Sequence, residues 1–276
     1  MSVQSSPRLL SSKVLGSHEV SVLAVTWQHP FNRRISVIGL LAKSLRGTYR
    51  FDYVQNVLSI EDFQPLLGFS DLYSSYEAAT LFPLFAQRVM DPRRPDYTNF
   101  ITSLGLTDSP SPWEQLSHSG GRRAGDTLQL LPVPVPVEGE MDTWEFSFLV
   151  HGMRHIAGSA RILNGLEVSV TREQQELAIK SLTRGAEVSL VQEPSNPKNE
   201  LAILVSDKNS IPLGYVPDLF TSDLATLGLS NLSCTIEVVN GPDAPWHMRL
   251  VAKLRCKAPA GFQFFTDTSW QTLASS

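Results

Sequence analysis

The feature that most restricts this chain lies near its middle, where Leu131 to Glu138 reads LPVPVPVE. Proline at every second residue fixes φ and removes every second backbone donor, so neither a helix nor a central strand can run through the segment. It must be extended and semi-rigid. It divides the 276 residues into two stretches, each long enough to bury its own core. A Pro-rich linker is therefore placed at 132–141, with an edge strand as the alternative role for the same residues.

Before the linker, residues 1–16 are Ser-rich, lack the apolar h-region of a secretory signal, and read as a flexible tail. Residues 17–131 mix strand and helix patterns. Val20 to Trp27 and Ile35 to Leu41 are β-branched runs separated by His29-Pro30-Phe31-Asn32, which predicts an antiparallel pair. From Gly47 to Val54, Tyr49, Phe51 and Tyr53 alternate with Arg50 and Asp52, a strand with one buried side. Short helices are expected over Phe82 to Met90, with Phe85 and Val89 inward, and after Pro95, with Tyr97, Phe100, Ile101 and Leu104 on one face and Gly105 as the stop. A third follows Ser111, with Pro112 at its first position and Trp113 and Leu116 inward. Thr127 to Leu131 reads as a returning strand.

After the linker the pattern changes to short strands with turn-rich connections. Trp144 to His151 is a strand that runs into Gly152-Met153-Arg154-His155. Thr171 and Gln174 form a capping box for a helix with Leu177, Ala178 and Leu182 on its inner face and Gly185 as its stop. Strands are expected at Ala186 to Val191, Leu201 to Val205, Gly214 to Val216, Thr235 to Val239 and Met248 to Cys256, with a helix from Pro217 to about Leu227. Such a set suits a small barrel or curled sheet.

Several chemistries find no support. Gly120-Gly121-Arg122-Arg123-Ala124-Gly125 is too short for a phosphate loop and lacks its lysine-hydroxyl end. No GxSxG elbow exists. His151 and His155 flank a glycine turn without the glutamate a zinc helix would carry. The carboxylates are scattered singly. No enzyme activity, metal or cofactor is expected. The longest apolar runs fall short of the roughly 20 residues a membrane helix needs, and Cys234 and Cys256 fit a reducing compartment as small core residues on neighbouring strands. A cytoplasmic protein with no membrane contact is the expectation. Net charge is −4 and the isoelectric point near 5.9, which argues against coating duplex DNA and confines any nucleic-acid site to a small local patch.

Two features favour a polyanion. Arg249, Lys253, Arg255 and Lys257 recur with period two beside Trp246, either a phosphate-tracking stripe or a solvated outer face. Arg154 sits in a glycine-flanked turn, where it serves either a phosphate or a structural ion pair.

Four motifs arrive in order over roughly 75 residues: Gly152-Met153-Arg154-His155, Gln192-Glu193-Pro194-Ser195-Asn196-Pro197, Leu201-Ala202-Ile203-Leu204-Val205 and Leu213-Gly214-Tyr215-Val216-Pro217. In this combination the second stretch resembles the HIRAN domain. The resemblance implies an OB-like β-barrel with short helices, found alone in bacteria or fused to helicase-like enzymes, that captures the 3′ end of single-stranded DNA. It places Arg154 and His155 on backbone and base, and Tyr215 and Trp246 at aromatic positions. Lys198 falls where the family has an aromatic, Asn199 where it has an aspartate, Leu201 where an asparagine is common, and Asp218 where a basic residue is usual. Lys198 can pair a phosphate instead of stacking a base, and Asn199 can accept from a hydroxyl without a carboxylate's charge. The first stretch, through Gly39-Leu40-Leu41, Phe51-Asp52-Tyr53, Leu81-Phe82-Pro83-Leu84-Phe85, Leu104-Gly105-Leu106 and Gly125-Asp126-Thr127-Leu128-Gln129-Leu130, is similar to the N-terminal subdomain of HipA-type kinases, without the kinase segments that would follow.

The expected fold is α+β in two domains: a HipA-N-terminal-like α+β domain at 17–131 and a HIRAN domain with a C-terminal strand extension at 142–276. The expected function is a non-catalytic nucleic-acid-binding adaptor, linked to DNA repair or phage defence. It would bind single-stranded DNA or DNA ends through Arg154, His155, Lys198, Asn199, Tyr215, Trp246, Arg249, Lys253 and Arg255, with a helicase, nuclease or HipA-like kinase as protein partner. The alternative is a protein-interaction regulator of a HipA-like kinase or toxin-antitoxin system, acting through the N-terminal domain.

Overall fold

The computed structural model describes residues 20–123, 125, 127–163 and 165–274, so the tail expected at 1–16 lies outside the described residues. In chain order the elements are strands β1 (Val20–Gln28), β2 (Ile35–Ser44), β3 (Tyr49–Tyr53) and β4 (Tyr76–Ala78), helices α1 (Pro83–Ala86), α2 (Tyr97–Ser103) and α3 (Pro112–Ser119), and strands β5 (Leu128–Pro132) and β6 (Val135–Pro136). Then come β7 (Thr143–Leu149), β8 (Arg161–Leu163), β9 (Leu166–Val168), α4 (Arg172–Ser181), β10 (Glu187–Gln192), β11 (Ile203–Ser206), β12 (Pro212–Tyr215), α5 (Asp218–Leu227), β13 (Leu232–Val239) and β14 (Leu250–Lys257). The fold is mixed, with antiparallel strands in open sheets. Among the described residues, no helix is long and apolar enough to cross a membrane.

The described residues form two compact units, and neither is a single stretch of chain. The first takes the residues up to Met90, Pro112–Pro136 and those from Gly261 onward. Its sheet has the order β4-β3-β2-β1-β5. One face carries Leu23, Val25, Ile38, Leu41, Phe51 and Tyr53 against Phe69, Phe85, Trp113 and Leu116. Phe51 meets Tyr53 and Phe69 edge-on at 4.9 and 4.6 Å, the geometry that aromatic quadrupoles favour. Helix α1 is shorter than the apolar spacing predicts. Past Ala86, Arg88 and Val89 bond back three residues instead of four, so the chain tightens into turns before Asp91-Pro92.

The alternating prolines serve as edge strand. Val133 donates to the Val22 carbonyl at 3.0 Å and Val137 to the Thr143 carbonyl at 2.8 Å, so the donors that the prolines lack come from the valines between them. The two units divide at Pro136 and Val137, inside the segment read as a linker. What a reading by contiguous stretches cannot reach are the two excursions: 91–111 groups with the second unit and the residues after 260 with the first. Past β14 no further strand follows among the described residues, in contrast to the expected C-terminal extension. Instead Thr272 forms an isolated bridge with Val54, and Leu273 donates to the Tyr53 carbonyl at 2.9 Å.

The second unit is built on the strands ordered β12-β11-β10-β13-β14-β7. Its strands bury Phe146, Phe148, Val205, Ile236, Leu250 and Leu254, with the Phe146 ring 4.2 Å from that of Phe220 of α5, while Leu204 packs with Ile156, Leu163 and Val170. Cys234 and Cys256 lie on neighbouring strands as free, buried thiols, which burial pushes up to about 12 and about 11. The chain just past β7 returns to β12: His151 and Tyr215 exchange both backbone hydrogen bonds, at 2.9 and 2.8 Å. One bridge, not a ladder, joins these two regions. Of the barrel or curled sheet that the pattern suits, the strands form an open sheet, with the end of β7 joined to β12 by this bridge. Helix α4 has both halves of the capping box, yet its inner face is not the one periodicity selects. Leu177 is 67% exposed, while Gln175 is fully buried with Ala178 and Ile179.

Candidate nucleic-acid interface

The His151–Tyr215 bridge fixes where β7 ends, and Gly152 then turns the chain at φ 65°. A Cβ at Gly152 would lie 2.8 Å from the Tyr215 ring, and one at Gly214 would lie 2.5 Å from the His151 carbonyl oxygen. Glycine at both positions lets the two backbones meet. The next residues, Met153–His155, make a 3-10 turn with Met153 buried and Arg154 and His155 exposed.

Buried polar groups hold this turn from beneath. Gln175 donates through Nε2 to the carbonyls of Met153 and Leu213 at 2.9 and 3.0 Å. Arg161, only 7% exposed, donates to the carbonyls of Ile156, Ser159 and His155 at 2.7 to 2.8 Å and to the Tyr215 hydroxyl at 3.0 Å. That hydroxyl donates to Glu193 Oε2 at 2.8 Å. Asn196 Nδ2 donates to the same carboxylate oxygen at 2.6 Å, and Glu193 Oε1 lies 3.6 Å from Arg161 Nε. The ion pair is buried, and these hydrogen bonds occupy its charged atoms, the condition under which buried charge is tolerated. Burial raises the Tyr215 phenol above its ordinary range, against the opposing pull of Arg161. The tyrosine therefore stays neutral and serves as a hydrogen-bond relay.

A second 3-10 turn, Trp246–Met248, packs beside the first. Arg172 joins them. Its guanidinium lies 4.4 Å from the Trp246 ring centroid and donates to the Arg154 carbonyl at 2.8 Å and to Gln175 Oε1 at 2.9 Å. Arg249 also approaches the Trp246 ring, at 5.1 Å, and is 3% exposed. It pairs bidentately with Glu176 at 2.9 and 2.8 Å and donates to the Asn240 carbonyl at 3.1 Å. Those bonds hold the Glu176 carboxyl below its ordinary range. Arg249 is therefore the floor under the tryptophan, and the exposed cations at the surface are Arg154 and Arg172.

The remaining expected site residues divide. In the loop after β10, the Asn196 side-chain carbonyl accepts from the backbone N–H of Lys198 and Asn199 at 3.0 and 3.3 Å, and Lys198 is exposed. Asn199 donates to Asp218 Oδ1 and Thr221 Oγ1 at 3.0 and 3.1 Å and accepts from Leu201 N–H at 2.9 Å. The nitrogen end of its amide ties the loop to the start of α5, and the oxygen end closes the loop on itself. On β14 the period-two pattern holds from Lys253 to Lys257, but the charges of Lys253 and Arg255 are met by neighbours. Lys253 reaches Glu237 on β13 at 3.2 Å and Glu145 on β7 at 3.8 Å, and Arg255 reaches Glu140 at 2.6 Å and Glu145 at 3.5 Å. The Glu140 hydrogen bond raises the Arg255 guanidinium above its ordinary value. Arg249 precedes this strand and does not share its outer face.

The structure thus brings together Arg154, His155, Tyr215, Trp246 and Arg249, places Lys198 and Asn199 on the loop that contacts Tyr215, and leaves Lys253 and Arg255 in carboxylate pairs. Residues that the sequence reading missed are Arg161, Arg172, Gln175 and Glu176. The capping box marked the first turn of α4, but apolar periodicity gives no weight to a buried glutamine.

No protein-family model matches the chain, and no curated protein matches it. Among solved structures, a Lactobacillus plantarum protein determined by the northeast structural genomics consortium is similar at 18% identity and TM-score 0.30, covering 41% of this chain and 96% of that one. The crystal structure of the HIRAN domain of human HLTF is similar at 15% identity and TM-score 0.26, covering 40% of this chain and 71% of that one.

Proposed function

We propose that the second unit is a non-catalytic nucleic-acid-binding module that holds a single strand across the two adjacent 3-10 turns. The observation that carries this reading is the convergence of four motifs that are separated in sequence. Gly152 lies under the Tyr215 ring, Glu193 and Asn196 bond its hydroxyl, and Leu204 of β11 pairs with Tyr215 across the ladder. Around that knot the side chains left at the surface are Arg154, His155, Arg172 and the half-buried Trp246. In this reading the guanidiniums neutralise phosphates and the indole takes a base, a combination that suits single strands because stacking needs no particular sequence. Recognition of a free 3′-hydroxyl is not part of the proposal, since the Asn199 amide is committed to Asp218, Thr221 and Leu201.

Fluorescence anisotropy of the full chain with short labelled single strands tests the reading, using otherwise identical strands ending in a 3′-hydroxyl or a 3′-phosphate. Binding of both with similar affinity, weakened by Arg154→Ala, is the expected result. Negligible binding of either strand at low salt would end it.

A further inference from the structure

The first unit carries an arginine cluster that the module above does not use. Strands β1 and β5 are antiparallel, with Trp27 opposite Leu128, and Gln28 N–H donates to the Thr127 carbonyl at 2.8 Å. The turn after β1 and the segment before β5 therefore emerge at the same end of the sheet. The first reads His29-Pro30-Phe31-Asn32-Arg33-Arg34 and the second Gly120-Gly121-Arg122-Arg123-Ala124-Gly125. Together they hold four arginines and no carboxylate, the next acidic residue along the chain being Asp126.

Hydrogen bonds hold the first turn and the start of the second segment. His29 Nδ1 accepts the N–H of Phe31 and of Asn32 at 3.2 and 3.3 Å, Arg33 N–H bonds back to the His29 carbonyl at 3.0 Å, and Gln28 Nε2 donates to the Arg33 carbonyl at 3.0 Å. In the other segment Leu130 N–H donates to the Gly120 carbonyl at 2.7 Å. Gly121 stands at φ 58°, a conformation that favours glycine. Arg33, Arg34, Arg122 and Arg123 are all exposed. Desolvation, then the charge of Arg33, pulls the Arg122 guanidinium down from its ordinary value. Beside them Phe31 stands 84% exposed, its ring 5.9 Å from that of His29. The exposed ring offers a flat face on which a base can stack.

We propose that this end of the first sheet is a second contact site for single-stranded nucleic acid, in which Arg33 and Arg122 take backbone phosphates and Phe31 stacks a base. The site does not depend on the one in the second unit. The test is anisotropy of the full chain with a short labelled oligothymidylate over a salt series. Arg33 lies at φ 61°, so Arg33→Asn removes the charge while keeping a residue that tolerates this backbone. Combined with Arg122→Gln, it should weaken binding about tenfold at low salt and reduce the slope of log affinity against log salt by about 1.4, roughly 0.7 for each phosphate no longer neutralised. Phe31→Ala should weaken binding about fivefold or more, and thermal melts should be unchanged, since all three side chains are exposed.

An unchanged affinity and slope in the Arg33→Asn, Arg122→Gln variant overturns the proposal. So does a result in which Phe31→Ala is silent and polyglutamate competes as well as oligothymidylate, since the occupant is then an acidic protein segment. If Arg154→Ala is silent while the Arg33 and Arg122 variant binds weakly, the site in the second unit falls and this one stands. The reverse pattern removes this one alone.

Discussion

Two groups of cations in the second unit look alike in sequence and differ in what surrounds them. Lys253 and Arg255 stand on a strand whose neighbours place Glu237, Glu145 and Glu140 within reach, so these two charges are neutralised at the surface. Arg154 and Arg172 stand on a turn and a helix start whose nearby carboxylates, Glu193 and Glu176, are engaged by Arg161 and Arg249. In the second arrangement inner cations take these two acids, Arg172 is held against Trp246 and the Arg154 carbonyl, and the Arg154 side chain stays exposed. A count of basic residues therefore says little about affinity for phosphate until each cation's partner is known.

Breaking the inner pairing should have the largest effect. Arg161→Ala strands a buried carboxylate, and such deletions cost about 3–5 kcal/mol of folding stability. Urea unfolding monitored by tryptophan fluorescence measures it, and a loss below about 1 kcal/mol would mean that the network does not hold the turn. Next comes Trp246→Ala, which removes the stacking face and should weaken single-strand binding by about 1–3 kcal/mol per base. Arg154→Ala should cost at least about 1 kcal/mol of binding and lower the salt slope by about 0.7; a loss without a change in slope would argue against a phosphate contact.

Acid should discriminate the two groups through Glu176. Its folded-state pKa is depressed by Arg249, so it stabilises the fold above the unfolded carboxylate range, and that contribution disappears as pH falls through the folded value. Glu176→Gln should flatten this part of the stability profile, read as thermal midpoint against pH. The smallest effect is expected from Lys253→Gln with Arg255→Gln: single-strand binding within about twofold of the parent, because charges already paired at the surface contribute little. A tenfold loss would restore the stripe as a phosphate track.

The elements themselves were largely legible in the chain. Alternation in β3, the capping box at Thr171 and Gln174, Pro112 opening α3 and Pro217 preceding α5 are local signals, and each stands where local chemistry puts it. Contacts set by distant partners were not legible. Arg161 and Glu193 meet only because β8 and the loop after β10 converge on Tyr215. Gln175 is buried where it donates to two carbonyls, a demand apolar periodicity cannot register, and Leu177, expected inside, is exposed instead. The basic stripe was correctly placed from Lys253 to Lys257, but its pairing depends on the register that sets Arg255 opposite Glu145, which the strand's own sequence does not contain.

The proline segment has a consequence beyond joining the units. A sheet that ends in a free strand offers a row of amide protons to any passing chain, and uncontrolled growth begins at such rims. Here the terminal strand β6 ends in Pro136, with Pro132 and Pro134 before it, and Val133 and Val137 direct their protons to Val22 and Thr143. A foreign strand would find almost nothing along this rim to bind. Replacing Pro134 and Pro136 with threonine would leave the internal bonds intact and arm that border, turning a quiet boundary into a seed for polymerisation.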